Sequence, residues 1–306
     1  MMACIYYLNS DLFSKMFFTK TSKISSPILI TIDHILYVSS MVWVFINREK
    51  FLLILIKLSE IDEEFMKLDR LQVNYRKQKL WLIISFVILI LFIIGTTASS
   101  TYYQSKSGVE IEFFIPIFNF LIFIIGLALS AHFIVFMSAI GTRLEMINSC
   151  IDKFTPELPK IHLKIVDCVN IYNSIYAFPM LVTFGNLFIW TCISTSLIIL
   201  IPKSALNFLI GFIISLTFTA SSILVIIKVA VRSINAKKKA VQLLYTKMSL
   251  EPENNDKIFY FIMQIRHTNV AFSCEFFEFN WQLVFKFISA CLMYLIIIIQ
   301  FEGSMH

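Results

Sequence analysis

Glycine, proline and charge are all scarce in this chain, which holds seven Gly and seven Pro among 306 residues and is only 15% charged. With so few helix breakers, its runs of Ile, Leu and Phe read as continuous helices, since a helix satisfies every backbone group internally where no water can. Broken helices of the transporter kind are thereby disfavoured, and there is no internal repeat. The shortage of charge excludes a soluble globular domain. With 58% hydrophobic residues and a mean hydropathy of +0.78, the chain belongs in a bilayer.

Other absences narrow the function. The six cysteines (Cys4, Cys150, Cys168, Cys192, Cys274 and Cys291) show no C-x-x-C spacing, and no N-x-[ST] acceptor occurs. His34, His132, His162, His267 and His306 are too scattered for the metal cluster of a membrane hydroxylase or desaturase. No enzyme, metal or cofactor is therefore expected. Asp11, Lys15, Lys20 and Lys23 interrupt the first two dozen positions, so no cleaved signal peptide is expected either. The net charge of +6 matches basic cytoplasmic loops and calls for no nucleic-acid partner.

What is present is a set of apolar segments long enough to cross the hydrocarbon, for which about 20 helical residues are needed. Six qualify: Pro27–Asn47, Leu80–Thr97, Phe113–Ala139, Ala177–Ile201, Ala205–Ala230 and Trp281–Phe301. The expected fold is an all-α polytopic membrane bundle. Short loops rich in Lys and Arg mark the cytoplasmic side. Arg48, Lys50, Lys57, Lys67, Arg70, Arg76, Lys77 and Lys79 follow the first span, whereas Ala98 to Glu112 carries only Lys106. The alternation repeats, with Arg143, Lys153, Lys160 and Lys164 after the third span, Lys203 alone after the fourth, and Arg232, Lys237, Lys238, Lys239, Lys247, Lys257 and Arg266 after the fifth. The C-terminus is thus placed outside. The same count puts Lys15, Lys20 and Lys23 outside as well, against the rule, and an upstream span would remove that conflict. Ile54, Leu58, Ile61, Phe65 and Leu68 recur at alternating four and three residues, which predicts a helix continuing below the membrane with one face packed on a neighbour.

The last span ends Met293-Tyr294, five apolar residues counting from Leu295, then Gln300-Phe301. This resembles the signature of the insect gustatory receptors, a Thr-Tyr pair, five hydrophobic residues and Gln-Phe. Upstream, Phe272-Ser273-Cys274-Glu275-Phe276-Phe277 and Asn280 resemble that family's stretch of Cys, Gly, two Phe and a following Asp. Met293, Glu275 and Asn280 depart from the family's Thr, Gly and Asp, which marks a divergent member.

The resemblance implies a seven-span chemoreceptor with its N-terminus inside and its C-terminus outside, of which this chain would begin near the second span. It also implies one transmembrane domain over 1–306: an N-terminal segment (1–26), a ligand-binding bundle (27–230), a cytoplasmic anchor segment (231–280) and a pore helix with the outer C-terminus (281–306). The implied function is a tastant-gated, non-selective cation channel in the plasma membrane of sensory neurons, working as a homo- or heterotetramer with other gustatory receptor subunits. An odorant receptor subunit is the alternative within the superfamily. A G-protein-coupled receptor fits less well, because the third span ends Ala139-Ile140-Gly141-Thr142-Arg143 and the last contains no Pro.

On a 3.6-residue period Met293, Ile296, Ile297 and Gln300 share one face, and by resemblance that face lines the pore. An Ile ring would then form a constriction that closes by dewetting, with a Gln ring offering dipoles to a hydrated cation. Lys286, near the inner end, is read as a snorkelling anchor. The family's ligand pocket occupies the outer half of the bundle, where this chain offers Asp33, His34, Thr97, Phe114, Phe118, Asn119, Asn186 and Trp190. Asp33 carries the largest penalty of these, since a mid-membrane carboxylate costs about 2.5 to 3.5 kcal/mol on insertion scales. His132 is read as a packing residue.

Overall fold

The structure, a computed structural model, describes residues 38–69, 114–200, 206–274 and 276–304, together with positions 35, 36, 83, 87 and 90. For 114–130, Trp190, most of 193–219, 298 and 301–304 it describes the backbone alone. In chain order the elements are α1 (Arg48–Asp69), α2 (Phe114–Cys150), a 3-10 turn (Ile151–Lys153), α3 (Leu158–Leu200), α4 (Leu206–Leu250), a second 3-10 turn (Pro252–Asn254) and α5 (Asn255–His267). The strands β1 (Ser273–Cys274) and β2 (Phe277–Glu278) and the last helix, α6 (Trp281–Ser304), follow. Residues 38–46 are also helical, and backbone bonds from Asn47 to Trp43 and from Phe51 to Asn47 join them to α1.

The expected all-α membrane bundle is what forms. Helices α2, α3 and α4 contain 37, 43 and 45 residues. At 1.5 Å per residue they are about 55 to 68 Å long, roughly twice the hydrocarbon thickness, so each projects well beyond it. Among the described residues Ala131–Lys153 and Leu158–Ile189 are long and apolar enough to cross a membrane, and Trp281–Ile297 is a shorter apolar helix. These three overlap the predicted spans Phe113–Ala139, Ala177–Ile201 and Trp281–Phe301. The predicted Ala205–Ala230 forms the first half of α4, and Pro27–Asn47 is helical from residue 38. Leu80–Thr97 lies outside the described residues except at 83, 87 and 90, which are helical.

The apolar stripe predicted on α1 is its packed face. Ile54, Leu58, Ile61 and Phe65 are buried, and Leu68 packs half-buried against the same core. Helix α1 lies against α3, while α2 and α4 share the most extensive helix interface. Charges on the helix extensions tie these contacts. Lys57 pairs with Asp167 at 3.2 Å, Lys164 with Glu64 at 2.7 Å and Glu60 at 3.6 Å, and Arg232 grips Glu145 with two guanidinium nitrogens. Exposed pairs of this kind contribute little each. The Arg143–Asp62 pair differs, because its nitrogen–oxygen distance is 2.5 Å and the two side chains are only 1% and 17% exposed. Arg143 also donates to the Ala139 carbonyl at 2.8 Å.

Between α5 and α6 the chain enters the bundle in extended form. Lys237 donates to the Thr268 carbonyl at 2.6 Å, and Ser233 donates to the Val270 carbonyl at 3.3 Å. Burial pulls the Lys237 ammonium below its ordinary pKa. Phe272 and Phe279 are buried on either side of the β1–β2 hairpin, whose register pairs Ser273 with Glu278 and Cys274 with Phe277. Phe272 meets Tyr172, while Phe279 meets Phe133 and Phe184. The hairpin and the start of α6 are thus fixed by α2, α3 and α4 together.

Removing one partner of a buried ion pair strands the other, at a cost of about 3 to 5 kcal/mol. Asp62→Ala is therefore expected to lower the thermal midpoint of the purified protein well beyond Asp167→Ala, which breaks an exposed pair. Equal shifts for the two variants would show that the Arg143 pair is solvated.

Candidate functional site: the last helix and the facing seam of α3

Helix α6 begins where Asn280 caps it, the side-chain Oδ1 accepting the Leu283 amide at 3.1 Å. This is the standard use of Asn or Asp at a helix N-cap, and it accounts for an Asn where the resembling family has Asp. Just upstream, the Asn173 amide of α3 donates to the Ala271 carbonyl at 3.1 Å and accepts the Ser273 backbone N–H at 3.2 Å. Farther along, Phe188 of α3 packs on Phe287 and Tyr294. The thiols of Cys192 and Cys291 neighbour each other across the same interface. The described cysteines form no disulfide.

These contacts bury the α6 face that carries Cys291 and Leu295. The face predicted to line a pore is left uncovered in the single chain: Met293 is 67% and Ile297 39% exposed, and Ile296 and Gln300 are exposed as well. Tyr294 is half-exposed against Phe188. Phe301 is helical, its side chain lying outside the described residues. Upstream, Phe276 is 75% exposed at the hairpin tip while Phe277 packs on Phe184 and Phe279.

Helix α3 carries a second group of polar contacts on the side facing away from α6. Pro179 sits inside the helix and has no N–H to give the Ile175 carbonyl. The Trp43 indole supplies that bond instead, donating to Ile175 at 2.9 Å while its ring meets Phe178. Tyr172 donates to the Phe133 carbonyl at 2.9 Å. Tyr176 shares a 2.6 Å hydrogen bond with Nδ1 of His132, whose ring stacks on Phe51. Thr183 donates to Pro179, and three residues on, Asn186 is buried. Of the predicted ligand residues, Asn186 alone has a described side chain. Asp33, His34 and Thr97 lie outside the described residues, as do the side chains of Phe114, Phe118 and Asn119 on α2 and of Trp190 on α3. No group of three or more His, Cys, Asp or Glu among the described residues could hold a metal ion.

Asn173, the capping role of Asn280 and the Trp43–Pro179 arrangement escaped sequence reasoning. A proline inside an otherwise apolar span was the available signal, since the carbonyl four residues earlier must find another donor.

The sequence profile of the 7tm Chemosensory receptor family matches residues 1–304. The chain belongs to that family. Among solved structures the receptor is similar to the insect olfactory receptor OR5 from Machilis hrabei, with a TM-score of 0.69 and 13% identity over 98% of this chain and 86% of that one. It is also similar to the same protein in complex with eugenol, with a TM-score of 0.52 and 13% identity over 92% and 90%. At that identity the likeness establishes a shared fold. No curated protein matches the chain. The receptor is accordingly a multi-pass membrane protein of the chemosensory class.

Losing an N-cap side chain costs about 1 kcal/mol, whereas Asn and Asp cap equally well. Asn280→Ala should therefore lower the receptor's thermal midpoint by a few degrees, and Asn280→Asp should leave it unchanged. Equal losses in the two would show that the Leu283 bond does not hold the helix start.

Proposed function

We propose that this receptor is a gustatory receptor subunit, a tastant-gated non-selective cation channel of the sensory-neuron plasma membrane that works as a homo- or heterotetramer. The reading rests on the Tyr294 to Gln300-Phe301 signature and on where it stands. It occupies an apolar helix whose buried side packs on α3, while Met293, Ile296, Ile297 and Gln300 face outward from the single chain. An amide at the end of an apolar helix needs hydrogen-bond partners that lipid does not supply. A central axis shared by several copies would supply them, and three apolar side chains one and two turns inward would close such a path by excluding water.

The ligand would enter from the outer half, among Asp33, His34, Thr97, Phe114, Phe118, Asn119, Asn186 and Trp190, where apolar walls are combined with a few polar groups. An odorant receptor subunit is the second reading, favoured by the likeness to an olfactory receptor, one structure of which holds eugenol. The Tyr to Gln-Phe signature favours the gustatory one.

Currents recorded from cells expressing the chain, against a tastant panel that includes eugenol, test the reading directly. Gln300→Ala should change conductance or ion preference with surface expression intact, and unchanged permeation would remove Gln300 from the pore. Separately, an epitope placed after His306 should be reached by antibody on intact cells. Staining only after permeabilisation would reverse the direction of α6 and sink the channel reading.

A further inference from the structure

The Asn186 side chain is 1% exposed, and neither its Nδ2 nor its Oδ1 has a hydrogen-bond partner in the protein. A buried polar group left without a partner costs about 1 to 3 kcal/mol, and an amide has two such groups. Its neighbours on α3 are satisfied by comparison: Thr183 donates to Pro179, Tyr172 to Phe133, and Tyr176 bonds His132. Among the described residues Asn148 Oδ1, Thr155 Oγ1 and His162 Nε2 are also buried without a partner, but Asn186 alone is an amide with both of its polar atoms unfilled.

Its direction follows from the helix period. At 100° per residue Asn186 lies about 160° from both Phe184 and Phe188, the two rings through which α3 meets the hairpin and α6. It lies within about 80° of Tyr172, Tyr176 and Thr183, so it belongs to the side of α3 that faces α2. From Tyr172 to Asn186 that side of α3 carries Tyr, Ile, Pro, Val and Thr and no charge, so α3 itself offers a charged guest no counter-ion.

We infer that Asn186 is the polar anchor of a binding site for a small, neutral, largely apolar molecule bearing a hydroxyl group. One hydroxyl oxygen accepts from Nδ2 while its hydrogen is donated to Oδ1, so a single group fills both vacancies of the amide, and an apolar body suits the Ile175 and Val182 side chains that share this side of α3. The inference rests on the reading of this chain as a receptor for small molecules and assigns that site a ligand chemistry.

The test compares benzyl alcohol with toluene, which differ by the hydroxyl, as ligands of the purified full chain, read by thermal midpoint. Benzyl alcohol should raise the midpoint of the wild-type protein more than toluene at equal concentration, and Asn186→Leu should abolish the difference. Equal shifts in the wild type overturn the inference: an organic hydroxyl then does not bind the amide, and water alone fills the role. A difference that survives in Asn186→Leu overturns it too, by placing the hydroxyl elsewhere. The wild-type comparison needs no variant, so a misfolded Asn186→Leu leaves it decisive. Currents do not enter the measurement. A hydroxyl-dependent shift in a chain that never conducts would keep the site and reject the channel.

Discussion

Burial of the α1 stripe against α3, with the Arg143–Asp62 pair closing its edge, is the contact on which the rest of the structure depends. Inside a bilayer, one apolar helix gains little by exchanging lipid for another apolar helix, and association there rests on close packing and on scattered hydrogen bonds. Beyond the membrane the hydrophobic effect returns. Ile54, Leu58, Ile61 and Phe65 are each worth about 1.5 to 3 kcal/mol when withdrawn from water. Long helices that leave the bilayer and meet in water therefore hold the bundle together at one end.

This asymmetry fits a receptor. The extensions of α1 to α4, α5 and the hairpin form a dense aromatic and charged body, in which Phe272, Phe279, Phe133 and Tyr172 interlock. From Tyr172 to Asn186 on α3 the described polar groups are spaced singly along an apolar seam. A ligand that binds by completing one hydrogen-bonding group needs such a seam. The last helix has a fixed origin, which Asn280, Asn173 and the hairpin supply.

The two sides of α3 divide the work. One packs Phe184, Phe188 and Cys192 toward the hairpin and α6, and the other carries Tyr176, Thr183 and Asn186 toward α2, with Tyr172 touching both Phe133 of α2 and Phe272 beside the hairpin. One helix carries both. Pro179 lies between the levels of these contacts, and Trp43 from the first helix covers the carbonyl that it leaves unpaired.

Class, helix extensions and family were legible in the sequence. Hydropathy and the scarcity of Gly and Pro dictated a helical membrane protein, because lipid offers the backbone no other partner. The four-three spacing of Ile54 to Leu68 dictated a packed stripe, and the terminal Tyr294-to-Phe301 motif carried the resemblance. All three are properties of periodicity or order, which need no partner to be recognised. Tertiary structure alone decided which polar groups meet. That Trp43 serves Ile175, that Asn173 holds Ser273, and that Asn186 is left with no protein partner depend on residues 100 or more positions apart or on the turn of a helix against its neighbours. A hydrogen bond is set by angstroms between side chains, and no spacing along the chain encodes that distance.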